Sequence, residues 1–316
     1  MRPSTTAAWL LALGASSAGG RAQVTPTFEA GVESVYVDAF VAHKGKRSPD
    51  LTASDFELVD NGVRQDVSVV SLDEVPLRAV LLFDTSMSVA GEKLEHLRSA
   101  GRAFLRGLRR GDEASLLTFS HDLRLRTAPT SDPGSLATVL DGLTASGGTS
   151  LFDALFAALE LAEDGPGRPV IVVFTDGDDH LSWLGEAEIL GRARESSALV
   201  YSVALVEGSL LSPGPSWLLH FGTAQPEKGR GNELLREVAS VTGGRAWEVE
   251  SSGGLEEAFL RIFDELQTRF LLSYAPKGVD QLGWHELEVR IKGRKAQVRA
   301  RRGYYRWPHP RATPSK

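Results

Sequence analysis

The chain contains no cysteine. That one absence removes disulfide bridges, thiolate nucleophiles and cysteine-ligated zinc together. Its seven histidines are scattered without the spacing of a metal cluster, and no His-Glu-x-x-His pair occurs. A phosphate-cradling Walker loop and the Gly-x-Ser-x-Gly elbow of hydrolases are missing too. Beyond the N-terminal region no apolar run approaches the roughly 20 residues that a membrane-spanning helix needs. An excess of positive charge is also lacking. The 35 Lys and Arg against 41 Asp and Glu give a net charge of -6, so nucleic acid is not the expected partner. What remains is an ordinary globular composition, 42% hydrophobic and 24% charged over 316 residues, with room for one large domain and a smaller one.

The N-terminus has the layout of a secretory signal. Arg2 precedes the apolar run Ala7–Leu13, and Gly20-Arg21-Ala22 fits a small-x-small cleavage site. Residues 1–22 are therefore expected to be a cleaved signal peptide, with an uncleaved anchor as the alternative, and the mature protein to be secreted or periplasmic. No cysteine follows the run to carry a lipid.

Downstream, 34–41 and Phe56–Asp60 are rich in β-branched and aromatic residues. The second leads into Asn61-Gly62, a strong hairpin signal, after which Val63–Val70 continues in alternating style. Residues 24–75 thus read as a β segment. From residue 77 the pattern changes. Four short apolar runs, 79–83, 115–119, 170–174 and 199–203, suit strands buried on both faces of a parallel sheet. Amphipathic stretches lie between them. One sets Leu94, Leu97, Gly101, Phe104, Leu105 and Leu108 opposite Arg98, Arg102, Arg106 and Arg109. The expected class is α/β, a doubly wound, mostly parallel sheet with helices on both faces, over residues 77–270. A Gly- and Pro-rich insert, 207–231, interrupts it and carries the apolar cluster Trp217–Phe221. Residues 271–306 alternate like strands again and are expected to pair with 24–75. A short tail, 307–316, follows.

The run 79–83 ends in Asp84-Thr85-Ser86-Met87-Ser88. Ligands of open α/β sheets gather beyond the carboxyl ends of the strands, and hard cations such as magnesium take oxygen ligands. This loop offers a carboxylate and two hydroxyls. Asp176, after the run 170–174, adds a second carboxylate, and Gly147-Gly148-Thr149-Ser150 adds a further hydroxyl.

On Asp84, Ser86, Ser88, Thr149 and Asp176, the chain resembles a von Willebrand factor type A domain with a metal ion-dependent adhesion site. That pattern is Asp-x-Ser-x-Ser, a Thr from a second loop and an Asp from a third. The resemblance implies a bound Mg2+ (or Mn2+ or Ca2+) held by these five residues, and a partner protein that supplies an exposed Glu or Asp. The flanking pieces Leu51-Thr52-Ala53-Ser54-Asp55-Phe56 and Arg301-Arg302-Gly303-Tyr304-Tyr305 are similar to those of secreted bacterial proteins of acidobacterial type that contain such a domain.

Plainer roles stay open for the same residues. Asp84 and Asp176 also fit loop caps. Ser86 and Ser88 fit an N-cap for a helix at 92–109, and Thr149 an N-cap for the helix after it. Asp178 and Asp179 read as solvated loop charges. Arg290, Lys292, Arg294, Lys295, Arg299, Arg301 and Arg302 read as an exposed strand face. Three functions follow. The first is a metal-dependent protein-binding or adhesion module that is not an enzyme. The second is a scaffold in which the metal only orders loops. The third is a metal-dependent hydrolase, for which position 86 carries serine where a haloacid dehalogenase-type mechanism needs an acid.

Overall fold

Flanks of strands, with one 3-10 turn at Ala53–Asp55, enclose a helix-and-strand middle in the computed structural model, which describes residues 34–43, 46–47, 50–72, 74–205 and 230–308. The first flank contributes β1 (Val35–His43), β2 (Lys46–Arg47), β3 (Phe56–Asp60), β4 (Val63–Gln65) and β5 (Ser68–Val70). The middle begins with β6 (Leu77–Asp84), α1 (Glu92–Gly107), β7 (Glu113–Phe119), β8 (Leu123–Thr130) and α2 (Pro133–Asp141). It continues through α3 (Leu151–Glu163), β9 (Arg168–Thr175), α4 (Glu186–Glu195) and β10 (Leu199–Leu205). It closes with α5 (Arg230–Thr242), β11 (Arg245–Val249) and α6 (Leu255–Leu266). The second flank supplies β12 (Phe270–Tyr274), β13 (Gly283–Ile291), β14 (Gln297–Arg299) and β15 (Gly303–Arg306). The expected signal (1–22), most of the insert including Trp217–Phe221, and the end of the tail lie outside the described residues.

The middle strands form one six-stranded sheet in the order β11-β10-β9-β6-β7-β8. Every neighbouring pair is parallel except β7 and β8. Strand β6 is buried at every position and β10 likewise, because helices cover both faces. On one face Leu97 and Phe104 of α1, Leu136 of α2 and Phe259 of α6 pack onto Leu81, Phe83 and Val172. On the other, Leu155 and Leu159 of α3, Ile189 of α4 and Val238 of α5 pack onto Val80, Leu82 and Val173. The class is α/β with a mostly parallel, doubly wound sheet. From β6 the chain moves outward one way through β7, and from β9 it moves outward the other way through β10. The winding therefore reverses between β6 and β9, the topological switch point at which the loops after two neighbouring strands diverge and leave a crevice.

The flanks hydrogen-bond to each other. β1 pairs antiparallel with β12 (Val37 opposite Leu272) and with β14 (Val41 opposite Val298), and β5 pairs with β12. β3 pairs with β13 (Leu58 opposite Val289) in the sheet β15-β13-β3-β4. Between these two antiparallel sheets sit Val37, Phe56, Leu58, Leu272, Tyr274 and Tyr304. The stretch Val63–Val70 is not one strand. It breaks after Gln65, whose side-chain amide is held at both ends by the Lys277 backbone, donating to O at 3.0 Å and accepting from N at 2.9 Å. β4 and β5 thus end in different sheets.

The basic C-terminal residues are likewise not one exposed face. Arg299 ion-pairs with Glu265 of α6, Arg301 donates to Ser196 O at 2.9 Å, and Arg302 donates to Ser240 Oγ at 2.5 Å. These three reach back to the central domain, where carbonyls and a buried carboxylate need donors. Arg269, wholly buried, completes the junction. It donates to Glu265 and to Tyr201 Oη at 3.1 Å each, to Asp38 O at 3.0 Å and to Gly243 O at 2.9 Å.

Candidate metal centre

Strand β6 delivers Asp84 to the switch point with no exposed surface. Its Oδ1 accepts the Ser86 backbone N–H at 2.8 Å, and its Oδ2 accepts the Thr175 hydroxyl at 2.8 Å. Past Asp84 the chain makes a short 3-10 turn, Met87–Val89, which sets the Ser86 and Ser88 hydroxyls 2.9 Å apart. Ser86 is buried and Ser88 exposed, so the pair runs from the floor of the site to its rim.

Backbone hydrogen bonds stitch the second loop to the first. Ser146 N–H donates to Thr85 O at 2.8 Å, and Met87 N–H to Gly147 O at 3.0 Å. Ser150 anchors the far side through its N–H (2.9 Å) and hydroxyl (2.8 Å), both donated to Ser120 O. Thr149 is thereby buried beside the first loop, and its carbonyl accepts the His180 and Leu181 N–H groups of the third loop at 3.0 Å each. At the root of that third loop Gly177 takes φ +85°, and a Cβ there would fall 2.0 Å from Asn232 Oδ1. Only glycine fits that close approach of α5 to the loop.

Asp176 stands at the start of the third loop. One of its oxygens, Oδ1, is buried with no hydrogen-bond partner. Burial pushes the Asp84 carboxyl up to about 6, the Ser86 and Thr175 hydrogen bonds work against that rise, and the charge of Asp176 adds to it. Two carboxylates, Asp84 wholly buried and Asp176 partly so, therefore sense each other, and among the described residues neither has an ion-pair partner. A buried carboxylate oxygen without a donor and a second carboxylate desolvated beside it are both relieved by a cation. No group of three or more His, Cys, Asp or Glu suited to a metal occurs among the described residues. The candidate donors are instead two carboxylates and the hydroxyls of Ser86, Ser88 and Thr149, all hard oxygens of the kind that magnesium accepts.

Asp84 does cap its own loop, through the Ser86 N–H at 2.8 Å, but the helix-capping roles expected of Ser86, Ser88 and Thr149 fall to other residues. Position N-cap of α1 is Gly91, not Ser86 or Ser88. The first N–H groups of α3 are served by Asp179 Oδ1 (Phe152, 3.3 Å) and Ser182 Oγ (Phe152, 3.0 Å; Asp153, 3.2 Å). Asp179 is thus a cap rather than a solvated charge, because the helix end offers donors that water would otherwise have to satisfy. Asp153 in turn accepts the N–H groups of Trp183 and Leu184. Thr175, which orients Asp84, went unnoticed in the sequence, although a hydroxyl at the end of a buried strand was a readable signal.

Residues 79–178 match the family model described as von Willebrand factor type A domain. Over that stretch, about a third of the chain, the protein is similar to a von Willebrand factor type A domain. The matched stretch begins within β6, ends in the loop after β9 and contains all five candidate residues. Inter-alpha-trypsin inhibitor heavy chain H4 of Sus scrofa is 23% identical over 239 residues, 71% of this chain and 24% of its own length. The chain thus spans about a quarter of the length of the curated relatives that it matches. Among solved structures, the von Willebrand factor type A protein from Catenulispora acidiphila covers 84% of this chain and 76% of its own, at 12% identity and a TM-score of 0.49. The von Willebrand factor domain of the type V pili tip protein Mfa5 from Porphyromonas gingivalis covers 61% and 95%, at 12% identity and a TM-score of 0.48.

Proposed function

We propose that the domain, taken as residues 77–270, is an extracytoplasmic, metal-dependent protein-binding module and not an enzyme. Asp84, Ser86, Ser88, Thr149 and Asp176 hold one Mg2+ (or Mn2+ or Ca2+), directly or through water, and the ion takes up a Glu or Asp carboxylate of a partner protein. The observation that carries this reading is the pairing of wholly buried Asp84 with Asp176, whose Oδ1 has no donor. Two carboxylates only neutralise a divalent cation, and the hydroxyl donors add no charge, so a further anionic oxygen is welcome at the ion. The flanks, 24–75 and 271–306, are read as one β module that carries the domain, which their shared sheets support. No helix among the described residues is long and apolar enough to cross a membrane.

A purely loop-ordering role for the metal has less to do here. Direct backbone bonds already join the three loops, through Thr85 to Ser146, Met87 to Gly147 and Thr149 to His180. Calorimetry decides the central point. One Mg2+ or Mn2+ should bind the wild-type chain and fail to bind Asp84→Ala, and equal affinity in the two proteins would reject the metal site.

A further inference from the structure

Towards the carboxyl end of α3, away from Thr149, an open groove of about 740 Å3 lies between α3, α4 and the residue that follows β15. Two aromatic rings line it, Phe156 and Trp307. Trp307 is 58% exposed and is the last ring of a column of three. It stacks on Tyr305 with centroids 5.2 Å apart and planes at 20°, and Tyr305 in turn tilts against Trp284 at 5.7 Å. One face of the indole is therefore fixed against Tyr305, and among the described residues no other ring meets Trp307.

The rest of the lining is charged and out of balance. Four glutamates face a single cation, Arg192, which is ion-paired with Glu160. Glu163 is taken up by its own neighbours, accepting the Ser196 hydroxyl at 2.6 Å and the Ser197 N–H at 2.7 Å. Glu188 gives only Oε2 to the Gly185 N–H, at 3.1 Å, and Glu195 has no hydrogen bond or ion pair among the described residues. Helix stability does not explain Glu195. It closes the last turn of α4, where the helix dipole favours a cation and disfavours an acid.

From this we infer that the groove binds a basic segment of a partner protein through an arginine. The guanidinium lies on the open part of the Trp307 indole, and its N–H groups donate to Glu188 and Glu195. Charge selects this occupant, because the lining carries three more carboxylates than cations and would repel an acidic segment. The aromatic wall selects arginine over lysine, since the planar guanidinium both stacks on a ring and forks to carboxylates. The inference is independent of the metal-dependent reading, which concerns other residues.

The test uses the full chain in chelator and the peptide Ser-Gly-Gly-Arg-Gly-Arg-Gly-Gly-Ser, with versions carrying lysine or glutamine in place of arginine. Binding is followed by calorimetry and by the indole N–H resonances. The arginine peptide should bind about fivefold tighter than the lysine peptide, the gain that a stacked cation provides, and the glutamine peptide should not bind. Glu188→Gln with Glu195→Gln should weaken the arginine peptide on the order of tenfold. Trp307→Ala should bring the arginine peptide down to the affinity of the lysine peptide, which itself stays unchanged. Failure of the arginine peptide to bind, or equal binding of the arginine and lysine peptides, would overturn the inference. So would an arginine affinity untouched by the variants, which would assign the binding to the general negative charge of the chain. A tighter arginine peptide in Arg311→Gln with Lys316→Gln would assign the groove to the chain's own end. A salt-sensitive dimer lost in Trp307→Ala would assign it to a second copy, and either result overturns the inference as well.

Discussion

Asp60 and Asp84 are both wholly buried, and both close a strand, yet their surroundings are opposite. Asp60, at the end of β3 in the flanking sheets, is saturated. Its Oδ2 accepts Tyr274 Oη at 2.8 Å and Tyr304 Oη at 2.9 Å, and its Oδ1 lies 2.8 Å from His285 Nδ1, whose Nε2 is 2.7 Å from Gln281 O. Asp84, in the sheet crevice, receives Ser86 and Thr175 and faces another carboxylate instead of a histidine. The same side chain at the same depth is an internal staple in one place and an incomplete ligand set in the other. Burial alone does not mark a functional acid. What marks it is whether the fold supplies the donors that burial demands.

The comparison breaks most easily at Asp60. Asp60→Ala would strand two tyrosine hydroxyls and an imidazole in a dry core, and should lower stability by about 3–5 kcal/mol in chemical denaturation while leaving metal binding intact. A loss below about 1 kcal/mol would show that the network contributes little.

Asp84→Asn should act the other way in chelator. Its carboxyl is raised to about 6 from 3.8, so the folded chain holds that proton more tightly than the unfolded chain does. The cost of burying the ionised form is therefore complete above pH 6 and fades as the pH falls towards 3.8. The metal-free asparagine variant should be more stable than wild type at pH 8, by up to about 3 kcal/mol, and no more stable at pH 4. A pH-independent difference would sever the effect from ionisation.

The smallest effect belongs to Asp176→Asn. Removing that charge should lower the Asp84 midpoint by a fraction of a pH unit in a carboxyl NMR titration without metal. An unmoved midpoint would separate the two carboxylates electrically and weaken the site with them.

Much of this was readable from residues whose surroundings are local. β6, β9 and β10 appear as apolar runs because both faces are covered, and the Asp84, Ser86 and Ser88 spacing lies on one turn. β8 was overlooked. Its Leu123 and Leu125 are exposed, so no buried face imposes an apolar signature, and it contains Pro129, a residue type uncommon inside strands. α2 is absent from the expected elements, although Asp132 caps it and Pro133, whose fixed φ suits the first helical position, opens it. The Asp60 network was beyond reach for a different reason, since Tyr274, His285 and Tyr304 lie more than 200 positions away in the chain. The caps supplied by Asp179 and Ser182 to α3 were similarly hidden, because they cross between loops.

The pairing of β5 with β12 sets Val70 directly opposite Leu271. Topologically, everything from residue 71 to residue 270 is the loop of one antiparallel hairpin. Closing a flexible loop of that length, rather than a tight turn, would cost roughly 3–4 kcal/mol more in chain entropy. A loop that is itself folded, with its two ends side by side, escapes most of that penalty. The sheet that joins β5 to β12 can therefore zip cheaply only around an intervening segment that has already folded. By the same geometry that segment has the plug-like ends of a cassette, able to replace the turn of another hairpin whose strands lie about 5 Å apart.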